Sequence, residues 1–232
     1  MSLSIYPRVS IKNRLLSALP RAEYERLFPA LEPIRLARNV ALCETGNTIQ
    51  HAYFLMGGLV SLLSTTEDGK TIEVGMIGNE GMVGISIVLG MSIAAYRTTV
   101  QIPATAMKIK AGALRAEFNR GGVLQNMLLR YTYTLIAQLS QSAVCIRFHT
   151  AEERLCRWLL LSRDRTQSDT IRLTQETISQ MLGTPRTGVT LTAGVLQKEG
   201  LIHYSRGKIT IIDPHGLEAV ACECYRNRQK RG

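Results

Sequence analysis

Hydrophobic positions along the chain change their period three times, and each change predicts a different kind of element. Residues 8–32 read as short amphipathic helices, with Leu15, Leu16, Leu19, Leu27 and Leu31 on the apolar side. From about 34 to 110 the pattern turns to short apolar runs broken by glycine, the texture of a compact antiparallel β unit. A run to Met56, a break at Gly57-Gly58 and a run to Thr65 lead into Asp68-Gly69, a hairpin signal in which both turn positions favour positive φ. Beyond it Ile72, Val74 and Met76 alternate with Thr71, Glu73 and Gly75, predicting one buried and one open face.

Between 111 and 147 the period lengthens again. Leu124, Leu128, Tyr131, Leu135 and Leu139 step by four, three, four and four, a seam down one side of a long helix. The seam fits a helix packed on its own domain, and equally a dimer interface packed on a second copy. Thr150 with Glu153 is a capping box, so a new helix starts there after a hinge near Phe148 to Thr150.

The segment "LTQETISQMLGTPRTGVTLTAGVLQKEGLI", residues 173–202, holds two helical patterns around Gly183. Thr174 caps a short helix that turns Ile178, Met181 and Leu182 inward. Thr184 is the expected cap of the second, with Pro185 at its first position and Val189, Val195 and Leu196 inward. Arg186, Thr187, Thr190 and Leu191 are left on the outer, N-terminal side, where a recognition helix reads a major groove. An Arg at that place can pair with the O6 and N7 of guanine. "LIHYSRGKITII" reads as a two-stranded wing turning at Arg206-Gly207, with Arg206 and Lys208 near phosphates, and Asp213-Pro214 opens a closing helix. Thr174, Gln175 and Thr184 complete the expected DNA contacts, and the tail "RNRQKR" reads as a solvated end.

A formal charge of +10 fits a polyanionic partner. It does not locate the contact, because residues 150–232 carry 13 Lys and Arg against 9 Asp and Glu while residues 1–149 carry 15 against 9. Five cysteines with no Cys-x-x-Cys pair argue against a disulfide framework or zinc finger and read as core or idle thiols. The four histidines are dispersed, so no metal site is expected. Cys145 and His149 share a helix face, but no third group completes a catalytic set, and no enzymatic activity is expected. The apolar run 81–96 is shorter than a membrane span, and no export signal opens the chain, which predicts a cytoplasmic protein with no membrane partner.

The stretches "TQETISQMLGTPRTGV" and "LQKEGLI", "GNEGMVG", and the long helix ahead of "HTAEERLCRWLL" resemble the Crp/Fnr regulators. The resemblance implies an α+β chain. An antiparallel, cyclic-nucleotide-binding-like β-roll with N-terminal helices would occupy residues 1–110, a dimerisation helix and hinge 111–149, and a winged helix-turn-helix 150–232. It implies a homodimer on double-stranded DNA with a pseudo-palindromic operator, and contact with RNA polymerase if the protein activates. Arg186 resembles the family's guanine reader. Thr187 and Leu191 replace the usual Glu and a second Arg, so a different half-site is expected. Cyclic-nucleotide contacts would fall on Gly78, Glu80, Gly81, Arg97 and Thr98, with Ser140 reaching the base from the long helix. The alternative for these residues is a ligand-free pocket, and for the whole chain a small-molecule-binding module acting through protein contacts without DNA.

Overall fold

The computed structural model describes residues 11–229. Two short helices, α1 (Arg14–Ser17) and α2 (Arg21–Leu27), precede the strands β1 (Glu32–Leu36), β2 (Ala41–Cys43), β3 (His51–Thr65), β4 (Thr71–Ile77), β5 (Met82–Val83) and β6 (Arg97–Lys110). Helices α3 (Ala111–Asn119), α4 (Val123–Phe148) and α5 (Ala151–Thr166) follow. The C-terminal part is β7 (Thr170–Arg172), α6 (Gln175–Leu182), α7 (Arg186–Lys198), β8 (Ile202–Ser205), β9 (Lys208–Ile211), α8 (Pro214–Val220) and α9 (Cys224–Gln229). No helix among the described residues is long and apolar enough to cross a membrane. The basic tail 226–231 runs past the described residues.

The first six strands form one antiparallel sheet in the order β1-β6-β3-β4, with β2 on β6 and β5 on β3. Strand β3 does not break at Gly57-Gly58, as the sequence pattern predicts, but bends there through shifts of register against β6. Gly58 has φ +78, and a Cβ on it would lie 2.4 Å from the Pro103 carbonyl oxygen, so the bend requires glycine. At the next hairpin only Gly69 takes positive φ. The loop is longer than a two-residue turn: Gly69 N–H donates to Thr66 O, and Thr66 N–H closes on Lys70 O.

Asn13 is fully buried and fully used. Its oxygen accepts from the Leu15 and Leu16 amides to cap α1, and its nitrogen donates to Leu55 O and Gly81 O, pinning the N-terminal helices to the roll. Glu23 of α2 caps α4 from outside, accepting from the Val123 and Leu124 amides at 2.9 and 2.7 Å. Those two bonds hold its carboxyl below the usual range.

The long-helix seam faces inward. Leu124, Leu128, Tyr131 and Leu135 are buried in the core of the roll, and Leu139 packs against that core half-buried. Tyr131 donates its hydroxyl to Met82 O at 2.9 Å. These five residues are therefore taken by their own chain, and the reading of them as a dimer interface is corrected. The opposite side of α4 exposes Leu129, Tyr133, Ile136, Ser140, Ala143, Val144 and Phe148. Leu129, Tyr133, Ile136, Ser140 and Ala143 step by four, three, four and three, so a second seam runs down the solvent side.

The second face of β4 is not open either. Helix α5 packs across β3, and a second core joins Leu59 and Met76 of the roll to Leu155, Trp158, Leu159 and the interior of the C-terminal part. Glu73 sits under this cover, accepting from Trp158 Nε1 at 3.0 Å and from the Ser61 hydroxyl. Burial pushes its carboxyl up to about 7, outweighing the two donors and the nearby Arg157 and Arg165 charges. The expected alternation does not hold along β4: the register against β3 shifts around Val74, so Val74 packs on the roll core while Met76 joins the second core on the side where Glu73 meets Trp158.

Candidate nucleic-acid interface

The C-terminal part assembles its surface from local signals. Thr150 and Glu153 form the reciprocal capping box that starts α5: Glu153 N–H donates to Thr150 Oγ1, and Thr150 N–H to Glu153 Oε2 at 2.7 Å. Thr174 caps α6 by accepting from Thr177 N–H. Gly183 ends it in the left-handed region, φ +60. A Cβ there would meet Ile72 of β4 at 2.8 Å, so the turn between the two helices rests on the roll.

Helix α7 starts one residue later than expected. Pro185 is extended, φ −54 and ψ 149, and Arg186 is the first helical residue. Thr184 belongs to the turn: its amide donates to Ser179 O, its carbonyl accepts from the Ser179 hydroxyl at 2.6 Å, and its own hydroxyl points back to Leu182 O. The α7 N-terminus therefore carries no side-chain cap, and its first amides face outward. Inside, Val189, Ala193 and Leu196 are buried. Val195, expected inward, is exposed and Ala193 takes its place, because the buried stripe steps four then three.

Arg186, Thr187, Thr190 and Leu191 are all exposed on the first two turns of α7. Leu191 is 72% exposed, a large apolar side chain offered to solvent on an otherwise polar face. Arg186 leans on Glu176 at 3.6 Å, and both side chains are more than half exposed. Such a pair is weak and releases easily. The Thr190 hydroxyl donates to Arg186 O, leaving its methyl outward-facing. Beside them β8 and β9 form the expected wing, whose tip residues Arg206 and Gly207 both have positive φ, 49 and 72. Arg206 and Lys208 are exposed there. The sequence pattern missed β7, a three-residue strand that completes the sheet in the order β7-β9-β8.

A profile of the Crp-like helix-turn-helix domain matches residues 153–220. Residues 153–220 are thus a Crp-like helix-turn-helix domain, and the chain as a whole has the fold of the Crp/Fnr regulators. The global nitrogen regulator of Synechocystis sp. is 23% identical over 216 residues, 89% of this chain and 95% of the relative. Among solved structures, FixK2 of Bradyrhizobium japonicum superposes with a TM-score of 0.70 at 14% identity, covering 83% of this chain and 98% of FixK2. A Crp/Fnr-family regulator from Eubacterium rectale gives 0.66 at 22% identity, covering 89% and 97%. The Synechocystis relative and the Eubacterium rectale protein are both regulators.

The nucleotide-contact candidates have other partners. Glu80 Oε1 accepts from Arg165 Nε of α5 at 2.8 Å, whereas Arg97 pairs with Glu44 at 3.2 Å. Gly78 is a close-approach point of that docking, where a Cβ would collide with the Arg165 side chain, and a Cβ on Gly81 would collide with the Tyr131 ring of α4. Thr98 is buried in β6, and Ser140 is exposed on the outer seam of α4. Glu80 and Arg97 thus serve separate contacts. Arg165 had no signature in the sequence beyond its place near the end of an amphipathic helix.

Proposed function

We propose that the protein is a cytoplasmic homodimer that reads a pseudo-palindromic operator with one α7 helix per half-site. The observation that carries this reading is the grouping of Arg186, Thr187, Thr190 and Leu191 on the exposed first turns of α7 while Val189, Ala193 and Leu196 anchor its other side. Arg186 supplies a fork for guanine, Leu191 an apolar contact for a thymine methyl group, and the two threonines small mixed surfaces. The uncapped α7 N-terminus, Thr174, Gln175 and Thr184 lie toward phosphates, as do Arg206 and Lys208 on the wing.

In this reading residues 1–110 are the sensor, 111–149 the dimerisation helix and hinge, and 150–232 the DNA-binding domain. Dimerisation uses the outer seam Leu129, Tyr133, Ile136, Ser140 and Ala143, since the inner seam is already buried. A signal acts by shifting the population of docked and released winged domains about Phe148 to Thr150. The Arg165–Glu80 and Trp158–Glu73 contacts hold the docked form. The separate pairing of Glu80 and Arg97 favours a roll without a cyclic-nucleotide site at those residues. Contact with RNA polymerase follows if the protein activates.

Selection from a random duplex library, at fixed salt and with or without cyclic AMP or cyclic GMP, tests this proposal. A two-fold symmetric motif, unchanged by nucleotide, is expected. An asymmetric single half-site would contradict the dimer, and a motif only with nucleotide would restore Glu80 and Arg97 as ligand contacts.

A further inference from the structure

The five cysteines, read from their spacing as core or idle thiols, are not scattered in the fold. Cys145 lies in the last turn of α4, and His149 is the residue that ends that helix, one turn further on. Cys222 follows α8, and Cys224 opens α9. Three Sγ atoms and one imidazole nitrogen from these residues all lie within 4.8 Å of one another. Cys145 Sγ is 3.5 Å from Cys222 Sγ, and Cys224 Sγ is 3.7 Å from His149 Nδ1. The three thiols are buried and form a cluster apart from both hydrophobic cores.

We propose that Cys145, His149, Cys222 and Cys224 form a Cys3His site for a structural zinc ion. A tetrahedral ion with Zn–S bonds of about 2.3 Å holds its sulfurs about 3.8 Å apart, and the two close pairs already stand near that value. Thiolate and imidazole donors together select zinc over oxygen-seeking calcium or magnesium. Four ligands drawn this close leave no space between them for a polynuclear iron–sulfur core. A disulfide would use two of the cysteines and leave the third, and the histidine, without a reason to converge.

The surroundings match a ligand set. His149 presents Nδ1 to the sulfurs and places Nε2 3.2 Å from the Glu223 carboxylate, the outer-sphere arrangement that fixes which ring nitrogen ligates. Gln141 donates Nε2–H to Cys224 Sγ at 3.0 Å, a bond that favours the thiolate. Arg154 and Arg157 share an adjoining cleft with Cys145 and offset the negative charge of three thiolates around a dication.

The site ties the end of α4 to the chain's C-terminal segment, across 77 residues that include the whole helix-turn-helix. Because it spans the hinge, an ion here would fix how the winged domain sits on the long helix. That consequence rests on the regulator reading above, whereas metal binding itself does not and is read without DNA.

The test uses full-length protein purified under reducing conditions without chelator. Metal content by mass spectrometry is expected to show one zinc per chain. Cobalt substituted for zinc is expected to give the sulfur-to-cobalt charge-transfer band and the intense visible bands of a tetrahedral thiolate site. Cys222→Ser and Cys224→Ser should abolish that spectrum, and Cys43→Ser and Cys156→Ser should leave it intact. Gln141→Ala, which keeps every ligand, should weaken affinity about 10-fold. Wild-type protein that is folded by circular dichroism but binds neither metal would overturn the site. So would a Cys145–Cys222 disulfide in anaerobically purified protein, or undiminished cobalt binding in Cys222→Ser.

Discussion

Arg165 of α5 donates through Nε to Glu80 Oε1 at 2.8 Å, joining the C-terminal part of the chain to the glycine turn of the roll. The Arg165 side chain is 3% exposed and that of Glu80 23%. Removing one member of a buried pair strands the other, at a cost of about 3–5 kcal/mol. Arg165→Ala is therefore expected to cost about 3 kcal/mol, the low end because Glu80 keeps some water. Urea unfolding should show the loss, and limited proteolysis should cut faster near His149 as the halves part.

Glu73 makes the same interface respond to pH. Its folded carboxyl titrates near 7, against an ordinary value of 4.5. A raised carboxyl means that the folded state holds the proton more tightly. Its contribution is thus fully present below about pH 4.5 and is lost as pH rises through 7, by about 1.4 kcal/mol per unit across the window. Trp158, the single tryptophan, donates to Glu73, so its fluorescence should titrate with a midpoint near 7. Glu73→Gln keeps both acceptor and shape and should flatten that titration.

The two seams of α4 make opposite expectations. Ile136→Glu on the exposed side should convert the dimer to monomer in sedimentation while leaving the unfolding midpoint nearly unchanged. Leu128→Ala on the buried side should cost about 2–5 kcal/mol of stability and leave the mass of the assembly as it was. A monomer from Leu128→Ala and a dimer from Ile136→Glu would reverse the assignment.

The wing makes an electrostatic expectation. Lys208→Ala should weaken DNA binding about equally for all sequences and reduce the salt dependence of log K by about one per half-site, measured by titrating salt against a fixed duplex.

The features legible in the sequence were those that neighbouring residues decide among themselves. The Thr150–Glu153 box, the Thr174 and Asp213 caps and the Arg206-Gly207 turn each need only three or four consecutive residues, and each forms. Choosing between the two sides of α4 needs the position of the roll, because both sides carry a heptad-like apolar pattern. Glu73 reads as an open-face residue and Glu80 as a nucleotide contact, because their partners, Trp158 and Arg165, each lie 85 residues away. The Cys3His cluster was hidden for the same reason, since Cys145 with His149 and Cys222 with Cys224 are two short pairs far apart along the chain. The exposure of Arg186 and Leu191 was legible because a glycine turn and a short buried stripe fix which way a helix faces.

Whether the start of α7 reads bases is decided by comparing the DNA selected with and without Arg186. Wild-type protein and Arg186→Ala would each select from the same random duplex library at the same salt. Both are expected to recover a symmetric motif, with the variant losing preference at one base pair in each half-site, worth about 1–3 kcal/mol. Identical motifs from the two proteins would contradict base reading by α7.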